Sequence, residues 1–209
     1  MRFGAITALF LAATPLHAEG EAAGNFDYYV MALSWSPAWC AGEGAGRGAA
    51  QCAAGARFVL HGLWPQNEQG WPSYCRTGMR DPSRADSAAM ADVMGSGGSA
   101  WYQWKKHGRC SGLPARGYYA LARAAYGRIA IPEVFTRLQK EVRLPAAVVE
   151  EAFIEANPGL KPDMVTVTCD RRRIDEVRIC LSKALEPRPC APDARRDCQM
   201  TDALMAPPR

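Results

Sequence analysis

The sequence is poor in histidine and lacks the usual signs of a metal centre or a membrane span. Its 209 residues include three histidines, at positions 17, 61 and 107. No two cysteines have the CxxC spacing of structural zinc sites, and the histidines lie apart from the cysteines, so a zinc site is disfavoured. No stretch reaches the roughly 20 apolar residues that a membrane-spanning helix needs. These absences favour a globular domain whose few histidines are available for chemistry.

The N-terminal segment is typical of a secretory signal. Arg2 precedes an apolar run from Phe3 to Ala13, and Leu16-His17-Ala18 has the small residues of a cleavage site. The alternative, a membrane anchor, is disfavoured because the apolar run is shorter than a span. We therefore expect cleavage after Ala18, or as late as Ala23, and a mature protein that is periplasmic or secreted and makes no membrane contact.

The mature chain, residues 19–209, has the length of a single domain. It keeps all eight cysteines, and an even number in an exported protein indicates disulfides, whose pairing the cysteine count leaves open. The formal net charge of +4 permits an anionic partner without requiring one. The cysteines are Cys40, Cys52, Cys75, Cys110, Cys169, Cys180, Cys190 and Cys198.

Apolar periodicity and turn residues predict one domain of class α+β. Phe26 to Trp35 is predicted to be a buried central strand, and Phe58 to Leu60 a short strand that Pro65 ends. Two further strands are expected at Met164 to Asp170 and Glu176 to Leu181, with a turn at Arg171 to Asp175. Helices are expected at about Asp81 to Gly95, Ala100 to His107, Tyr118 to Tyr126, Glu133 to Val142 and Ala146 to Asn157.

Both histidines of the mature chain fall in short stretches with unusual composition. His61 lies in Leu60 to Gln66, which reads LHGLWPQ, and His107 lies in Trp101 to Cys110, which reads WYQWKKHGRC. A lone histidine is more often structural than catalytic. Two are the minimum for general-base and general-acid catalysis near neutral pH, because imidazole titrates there.

The stretch with His107 has the features of a short helix with one polar face. Ser99 is a candidate N-cap, and glycines 95, 97 and 98 are expected to form a hinge before it. Within the helix, Gln103, Lys106 and His107 share a face through i, i+3 and i+4 spacing. A base, a fixed cation and a neutral hydrogen-bonding group in one space suit an anionic substrate whose charge grows in the transition state.

The two stretches carry a family resemblance. Leu60 to Pro65 (LHGLWP) and Trp104 to Cys110 (WKKHGRC) resemble the two active-site segments of the ribonuclease T2 family, and Tyr28 to Pro37 resembles that family's first core strand. The resemblance implies an α+β fold with a central antiparallel sheet flanked by helices and stapled by disulfides. One of these would join Cys75 to Cys110 and tether the second segment.

The family resemblance also implies a reaction. RNA would be cleaved by an endonuclease through a 2′,3′-cyclic phosphate, with neither metal nor cofactor, so RNA is the expected partner and DNA is not. His107 matches the general base that takes the 2′-hydroxyl proton, and His61 the general acid that protonates the leaving 5′-oxygen. Lys106 matches the cation that stabilises charge on phosphorus, and Gln103 completes the predicted catalytic set. We expect the protein to act as a monomer.

A substrate-binding set follows from the same resemblance. Trp64 matches a base-stacking residue, as expected for proteins that hold unstacked RNA bases. Tyr102 stands where the family has a phosphate-contacting histidine. Gln66 and Trp71 are further candidates for substrate binding, without a family match. The two tryptophans are also compatible with simple core or loop packing.

Two positions depart from the family pattern, which opens its second segment with His-Glu. Tyr102 brings no positive charge and Gln103 does not ionise, so a catalytically weak family member that binds RNA or another partner is the alternative function. Retention of both histidines and the lysine favours the enzyme. Arg109, where the family commonly has threonine, is expected to supply part of the missing charge. Arg171 to Arg173 resembles an RNA-backbone patch, although a charge run at a hairpin turn is more often an exposed tip.

Overall fold

The computed structural model describes residues 20–208, so the predicted signal at residues 1–18 lies outside the described residues. A six-stranded sheet forms the centre of the domain, and no helix of the described chain is both long and apolar enough to cross a membrane. The strands are β1 Tyr28–Trp35, β2 Phe58–Gln66, β3 Val142–Leu144, β4 Val165–Asp170, β5 Arg173–Leu181 and β6 Ala203–Met205. The α-helices are α1 Ser36–Trp39, α2 Ala50–Ala53, α3 Arg84–Ala88, α4 Ala91–Met94, α5 Gly97–Lys106, α6 Ala115–Gly127, α7 Glu133–Thr136 and α8 Ala146–Ala156.

The sheet is antiparallel at its centre. Strand β1 lies between β2 and β5 and runs antiparallel to both, and β4 pairs antiparallel with β5. Strand β6 joins β5 in parallel at the single pair Arg173 and Leu204, and β3 pairs antiparallel with β6. The predicted α+β class with a central antiparallel sheet is confirmed, and so is the central position of β1.

Strand β1 separates two apolar clusters by simple alternation. Met31, Leu33 and Trp35 face the main core, which the helices cover. Tyr28 and Val30 face the other side and pack in a smaller cluster with Cys180, Cys190 and Ala191. Trp64 of β2 is partly buried against this smaller cluster, so its side chain lies on the face away from the main core.

Strand β2 continues through Pro65, where the sequence predicts its end. Tyr29 pairs with Pro65, and Tyr28 pairs with Gln66. Because β2 is the outermost strand on this side of the sheet, a proline that lacks an N–H group is tolerated there. The predicted end of the strand is therefore wrong, because an edge strand accepts a proline.

A β-bulge in β2 contains His61. Ala32 pairs with Gly62, and the next residue of β1, Leu33, pairs with Leu60, so His61 has no partner across the pair. A bulge of this kind changes the direction of one side chain, while the residues on either side of it still pack in the core. Leu60 accordingly remains fully buried in the main core, while His61 is released toward the opposite face.

A second bulge lies in β5 and contains Asp175. Glu176 pairs with Thr168 and Ile174 pairs with Cys169, which leaves Asp175 between the two pairs. The strand therefore begins at Arg173, and the predicted turn from Arg171 to Asp175 is wrong in its second half. This bulge places two consecutive polar residues, Asp175 and Glu176, beside the cavity that His61 also lines, which is described below.

Helix α5 begins earlier than the sequence predicts. Its N-cap is Ser96, whose hydroxyl accepts a hydrogen bond from Ser99 N at 3.0 Å, so glycines 97 and 98 lie inside the helix and form no hinge. A Cβ on Gly97 would lie 3.1 Å from the Cα of Ala88. Glycine at this position therefore allows α5 to pack closely on α3.

Two other predicted helices are shorter in the structure. The helix expected up to Gly95 is divided into α3 and α4, and the carbonyl of Ala89 between them accepts a hydrogen bond from Arg123 Nη2 at 2.8 Å. The helix expected from Glu133 to Val142 ends at Thr136, because Val142 begins β3 and pairs with Met205. Strand β6, in the predicted irregular tail, has no counterpart in the sequence-based assignment.

Four disulfides hold these elements together. Cys40 is joined to Cys52, Cys75 to Cys110, Cys169 to Cys198 and Cys180 to Cys190. The last two attach the C-terminal tail to β4 and β5. The second attaches the segment after α5 to the loop that follows β2, and it therefore links the two motif stretches.

Candidate active site

His61 leaves its bulge toward the carboxylate of Glu176. Its side chain is 41% exposed, and Nδ1 is hydrogen-bonded to Glu176 Oε1. Ser34 of β1 also donates to Oε1, at 3.2 Å, and Arg178 donates to Oε2 from Nε at 2.9 Å and from Nη2 at 2.7 Å. Three consecutive strands of the sheet, β2, β1 and β5, thus supply the partners of one buried carboxylate.

Glu176 is held in its ionised form. Its burial alone would raise its pKa, but the hydrogen bond and charge of His61 and the charge of Arg178 outweigh burial and lower the pKa to about 2. An ionised carboxylate only accepts hydrogen bonds, so His61 must carry its proton on Nδ1 in either charge state. The other ring nitrogen, Nε2, is left for the cavity.

Helix α5 supplies the opposite wall. Gln103 and His107 are 2% and 6% exposed, and Lys106 lies between them on the same side. The end of the helix is fixed because Tyr74 N donates to the Lys106 carbonyl at 2.8 Å and Cys75 is bonded to Cys110. The predicted i, i+3 and i+4 face exists, and its three residues line one cavity.

His107 is neutral in this setting. Burial, followed by the charges of Lys106 and His61, lowers its pKa to about 3. Within residues 20–208, its Nδ1 is buried and has no hydrogen-bond partner. The ring is stacked on Trp64, with ring centres 5.1 Å apart. A buried imidazole without a counter-charge favours the neutral form, which is able to accept a proton.

Trp64 connects the two walls. Its Nε1 donates to Gln103 Oε1 at 2.8 Å, and its ring lies edge-on to His61 with centres 5.3 Å apart. The Arg178 guanidinium lies 5.3 Å from the centre of the same ring. One indole therefore contacts both histidines and the arginine that pairs with Glu176.

A cavity of about 510 Å³ opens between these walls. The structure brings together in its lining all eight residues that the sequence singles out: His61, Trp64, Gln66, Trp71, Tyr102, Gln103, Lys106 and His107. Sequence reasoning missed four charged residues of the lining: Asp175, Glu176, Arg178 and Asp193. The signal available in the sequence was the pair Glu176 and Arg178, two residues apart in a predicted strand that is otherwise apolar. Nowhere in residues 20–208 do three or more His, Cys, Asp or Glu side chains gather as metal ligands.

The comparison with protein families places this cavity in context. The model of the Ribonuclease T2 family matches residues 26–190, which include both motif stretches. The chain belongs to the ribonuclease T2 family. A ribonuclease from Aeromonas hydrophila is 46% identical over 107 residues, which are 51% of this chain and 47% of that protein. The chain spans about half the length of the curated relatives it matches first.

Two solved structures share the fold of this chain. RNase NT in complex with 5′-AMP is similar with a TM-score of 0.66 and 20% identity, over 88% of this chain and 100% of that one. The RNase-related protein from Calystegia sepium is similar with a TM-score of 0.65 and 20% identity, over 92% of this chain and 98% of that one. At this level of identity the likeness extends to the fold.

Among the residues that depart from the T2 pattern, Tyr102 lines the cavity and Arg109 does not. Tyr102 is 47% exposed, and its hydroxyl lies 3.4 Å from that of Tyr74. Arg109 is absent from the cavity lining, and its Nε lies 3.9 Å from the carboxylate of Asp81. The expectation that Arg109 supplies charge to the site is therefore wrong, because Asp81 pairs with it elsewhere.

Proposed function

We propose that the protein is an endoribonuclease that cleaves single-stranded RNA by transphosphorylation, without a metal ion. The observation that carries this function is the cavity that a neutral, buried His107, a carboxylate-bonded His61 and Lys106 line together. Such a set provides a base, an acid and a fixed cation for a phosphodiester.

In the proposed reaction His107 accepts the proton of the ribose 2′-hydroxyl. The 2′-oxygen then forms a bond to phosphorus, and the bond from phosphorus to the 5′-oxygen of the next nucleotide breaks. His61 gives its Nε2 proton to that leaving oxygen. The products are a 2′,3′-cyclic phosphate and a free 5′-hydroxyl, and DNA is inert because it has no 2′-hydroxyl.

The electrostatics of the cavity support this division of roles. A general base must be neutral before the reaction, and burial keeps His107 neutral. A general acid must hold its proton on the nitrogen that faces the substrate, and Glu176 occupies the other nitrogen of His61. In this mechanism Lys106 stabilises the charge that develops on the non-bridging oxygens.

The rest of the cavity suits nucleotides. Trp71 is 57% exposed at the rim, and an exposed indole can stack on a base. Trp64 offers the ring surface that its contacts with His107 and Arg178 leave free. Gln66 supplies an amide for hydrogen bonds to a base edge, and the Tyr102 hydroxyl is the candidate phosphate donor.

The function is tested by incubating the purified protein with RNA and with DNA of the same sequence, in EDTA. We expect RNA alone to be cut, with cyclic phosphate ends, and His107→Ala to lose nearly all turnover. Cleavage of the DNA, or loss of RNA cleavage in EDTA, would contradict the mechanism. The alternative function, an RNA-binding protein without useful catalysis, is favoured by neutral Tyr102, and it predicts RNA retention without products.

We also propose that residues 1–18 are an export signal and that residues 19–209 form one domain acting as a monomer in the periplasm or outside the cell. The four disulfides support an oxidising compartment. N-terminal sequencing of the protein recovered from cell fractions tests the cleavage. An intact N-terminus in the cytosolic fraction would contradict it.

A further inference from the structure

A second cavity, of about 360 Å³, adjoins the active-site cavity. One of its walls is the segment that follows β1, which includes Trp39, and the other is the turn between β4 and β5, with Arg171 and Arg173. Asp175 lines both cavities, so they meet at the bulge of β5. A chain that occupies the active-site cavity can therefore continue past Asp175 into the second cavity.

The arginines of the turn are held against the preference of the backbone. Asp170 pairs with Arg173, so Arg171 and Arg172 are the two central residues of the hairpin turn, with φ of 44° and 64°. Turns with positive φ at both central positions favour asparagine and glycine, because other side chains are strained there. Arg172 pairs with Asp202 at 2.6 Å and does not line the second cavity. The turn thus contributes two of its three arginines to this cavity.

These two guanidinium groups are available to an anion. Arg173 is half-buried, and it forms neither an ion pair nor a side-chain hydrogen bond with any residue from 20 to 208. Arg171 reaches the opposite wall, because a Cβ on Gly42 would lie 3.9 Å from its Nη1. A guanidinium is a planar fork of N–H donors that matches the oxygens of a phosphate. Two such groups in one cavity suit a phosphodiester.

The carboxylates of the second cavity leave Arg173 free. Glu43 accepts a hydrogen bond from Arg47 at 2.8 Å, and Asp170 lies 3.7 Å from Nε of Arg171. Asp175 is the third carboxyl group of the lining, and burial, followed by the charge of Glu176, raises its pKa to about 6. Its negative charge is therefore weakest in acidic solution.

Trp39 adds an aromatic surface to the same cavity. Its ring packs against Gly44, where a Cβ would lie 2.5 Å from ring atoms Cε3 and Cζ3. Glycine at this position lets the indole rest directly on the backbone, while the residue as a whole is only half-buried. A held aromatic ring beside arginine is the combination with which proteins bind single-stranded nucleic acid, by stacking on a base and contacting the backbone.

The position of His61 gives the direction of the strand. In the proposed reaction His61 protonates the 5′-oxygen of the leaving nucleotide. His61 is bonded to Glu176, which is next to Asp175 in β5. The leaving nucleotide therefore lies on the side of the active-site cavity from which Asp175 leads into the second cavity.

We propose that the second cavity binds the RNA strand on the 3′ side of the cleaved bond. The phosphate that follows the leaving nucleotide binds to Arg171 and Arg173, and a base stacks on Trp39. This inference rests on the proposed ribonuclease function and adds a binding site to it. The site makes the protein an enzyme that prefers chains to dinucleotides.

The test uses DNA chains that contain one ribonucleotide, because only the bond after the ribose can be cut. The dinucleotide is compared with versions that carry a short deoxynucleotide extension on the 3′ side or on the 5′ side. Phosphates and bases, which DNA also has, make the proposed contacts. We expect the 3′ extension to raise kcat/KM of the wild type by on the order of 10-fold, as one stacked base or one hydrogen bond to a charged group does.

The variants Arg173→Gln and Trp39→Ala should each reduce this gain from the 3′ extension. In Arg173→Gln the dependence of kcat/KM on salt should also become shallower, by roughly 0.7 in the log–log slope, because one phosphate contact is lost. Arg172→Gln is the matched control, since it removes the same charge from the same turn outside the lining, and it should keep the full gain. The rate on the dinucleotide shows that each variant is folded.

Several outcomes overturn the site. They are a wild type that gains nothing from the 3′ extension, a gain that Arg173→Gln leaves intact, an equal loss in Arg172→Gln, and a loss confined to the 5′-extended substrate. If the wild type cuts the dinucleotide without a gain from the extension, the proposed function stands and the second site fails. If the wild type cuts none of the substrates, the proposed function fails and the second site is overturned with it.

Discussion

The imidazole of His61 is hydrogen-bonded through Nδ1 to Glu176, a carboxylate that is 4% exposed and lies in a strand of another part of the sequence. Strand β1 lies between the two residues and contributes Ser34 to the same carboxylate. The arrangement resembles that of catalytic histidines that are oriented by a buried acid. Glu176 does not reach the substrate in the proposed mechanism, and its role is to position His61.

The first prediction is that Glu176→Gln lowers kcat by about 10- to 100-fold, less than the roughly 100- to 10,000-fold that a general acid contributes. The amide keeps the shape of the side chain but lets His61 adopt the wrong tautomer, because an amide can donate as well as accept. Steady-state kinetics with folded protein measures the loss. Glu186→Gln, at an exposed ion pair with Arg128, is the control and should retain full activity.

A positioning role has a further signature in Glu176→Gln. Glu176 acts on the orientation and tautomer of His61, so the variant should lose kcat while KM for RNA changes little. A variant that loses activity only in proportion to the folded fraction would show that Glu176 is merely structural.

The second prediction concerns the acid limb of kcat/KM. The base must be neutral, and an imidazole of ordinary pKa near 6.5 would lose activity below that pH. Burial lowers the pKa of His107 to about 3, so activity should persist through pH 4 to 6 and fall only below that range. The profile as a whole remains bell-shaped, because the mechanism needs one neutral base and one protonated acid.

Asp175 provides the control for this profile. Burial and the neighbouring charge of Glu176 raise the pKa of Asp175 to about 6, and the residue lines the same cavity. If kcat/KM of the wild type falls below about pH 6 and this fall disappears in Asp175→Asn, the group that titrates is the Asp175 carboxyl. A limb near pH 6 that remains in the variant would contradict the buried, neutral state of His107.

The third prediction is that the bridge between Cys75 and Cys110 serves the site as well as the fold. Its loop spans 35 residues, for which chain entropy gives about 4 kcal/mol of stability. Replacing both cysteines by serine should also lower kcat, because it releases the end of the helix that carries His107. Peptide mapping without reduction should recover the two cysteines linked, and either one found free or paired elsewhere would refute the bridge.

A second bridge offers a matched comparison. Cys40 and Cys52 enclose 12 residues away from the cavity, and their loss should cost about 3 kcal/mol with little change in kcat at temperatures where the protein is folded. Equal effects of the two double variants on kcat would mean that the bridge at Cys75 acts through stability alone.

The sequence predicts the helix side of the site better than the sheet side. Gln103, Lys106 and His107 lie on one local helix, so their common face follows from the periodicity of an α-helix. The start of that helix is missed because Ser96 and Ser99 are both acceptable caps. The choice depends on Gly97 packing against Ala88, which is a contact between helices that local sequence does not encode.

The sheet side depends on long-range register. Glu176 and His61 meet because two separate strands pair with β1, and the bulge in β2 leaves His61 and Trp64 on the same face. A bulge shifts the alternation of a strand by one residue, so strict alternation from the buried Leu60 assigns Leu63 and Trp64 to the wrong faces. Asp175 is misread as part of a turn for the same reason. The family motif identifies His61 as a candidate site residue, but it does not predict the bulge or the contact with Glu176.

The last prediction addresses the tyrosine at the rim. Tyr102 lines the cavity and is 47% exposed, so a histidine would fit there without repacking the core. A charged imidazole is a stronger donor to phosphate than a neutral hydroxyl, since charge-assisted hydrogen bonds are roughly twice as strong. Tyr102→His should therefore raise kcat/KM on RNA, most clearly at acidic pH where the new side chain is charged.

Trp101→His isolates the effect of position from that of added charge. Trp101 is the preceding residue of α5, is 44% exposed and does not line the cavity, so its replacement adds an imidazole outside the site. Both variants are assayed on one RNA from about pH 4 to about pH 8, the range in which imidazole titrates. A gain in Tyr102→His alone supports a phosphate contact at this position, whereas equal gains reflect net charge. If Tyr102→His is neutral or harmful at every pH while folded, Tyr102 does not stand in for a phosphate-binding histidine, and the site depends on its tyrosine as it is.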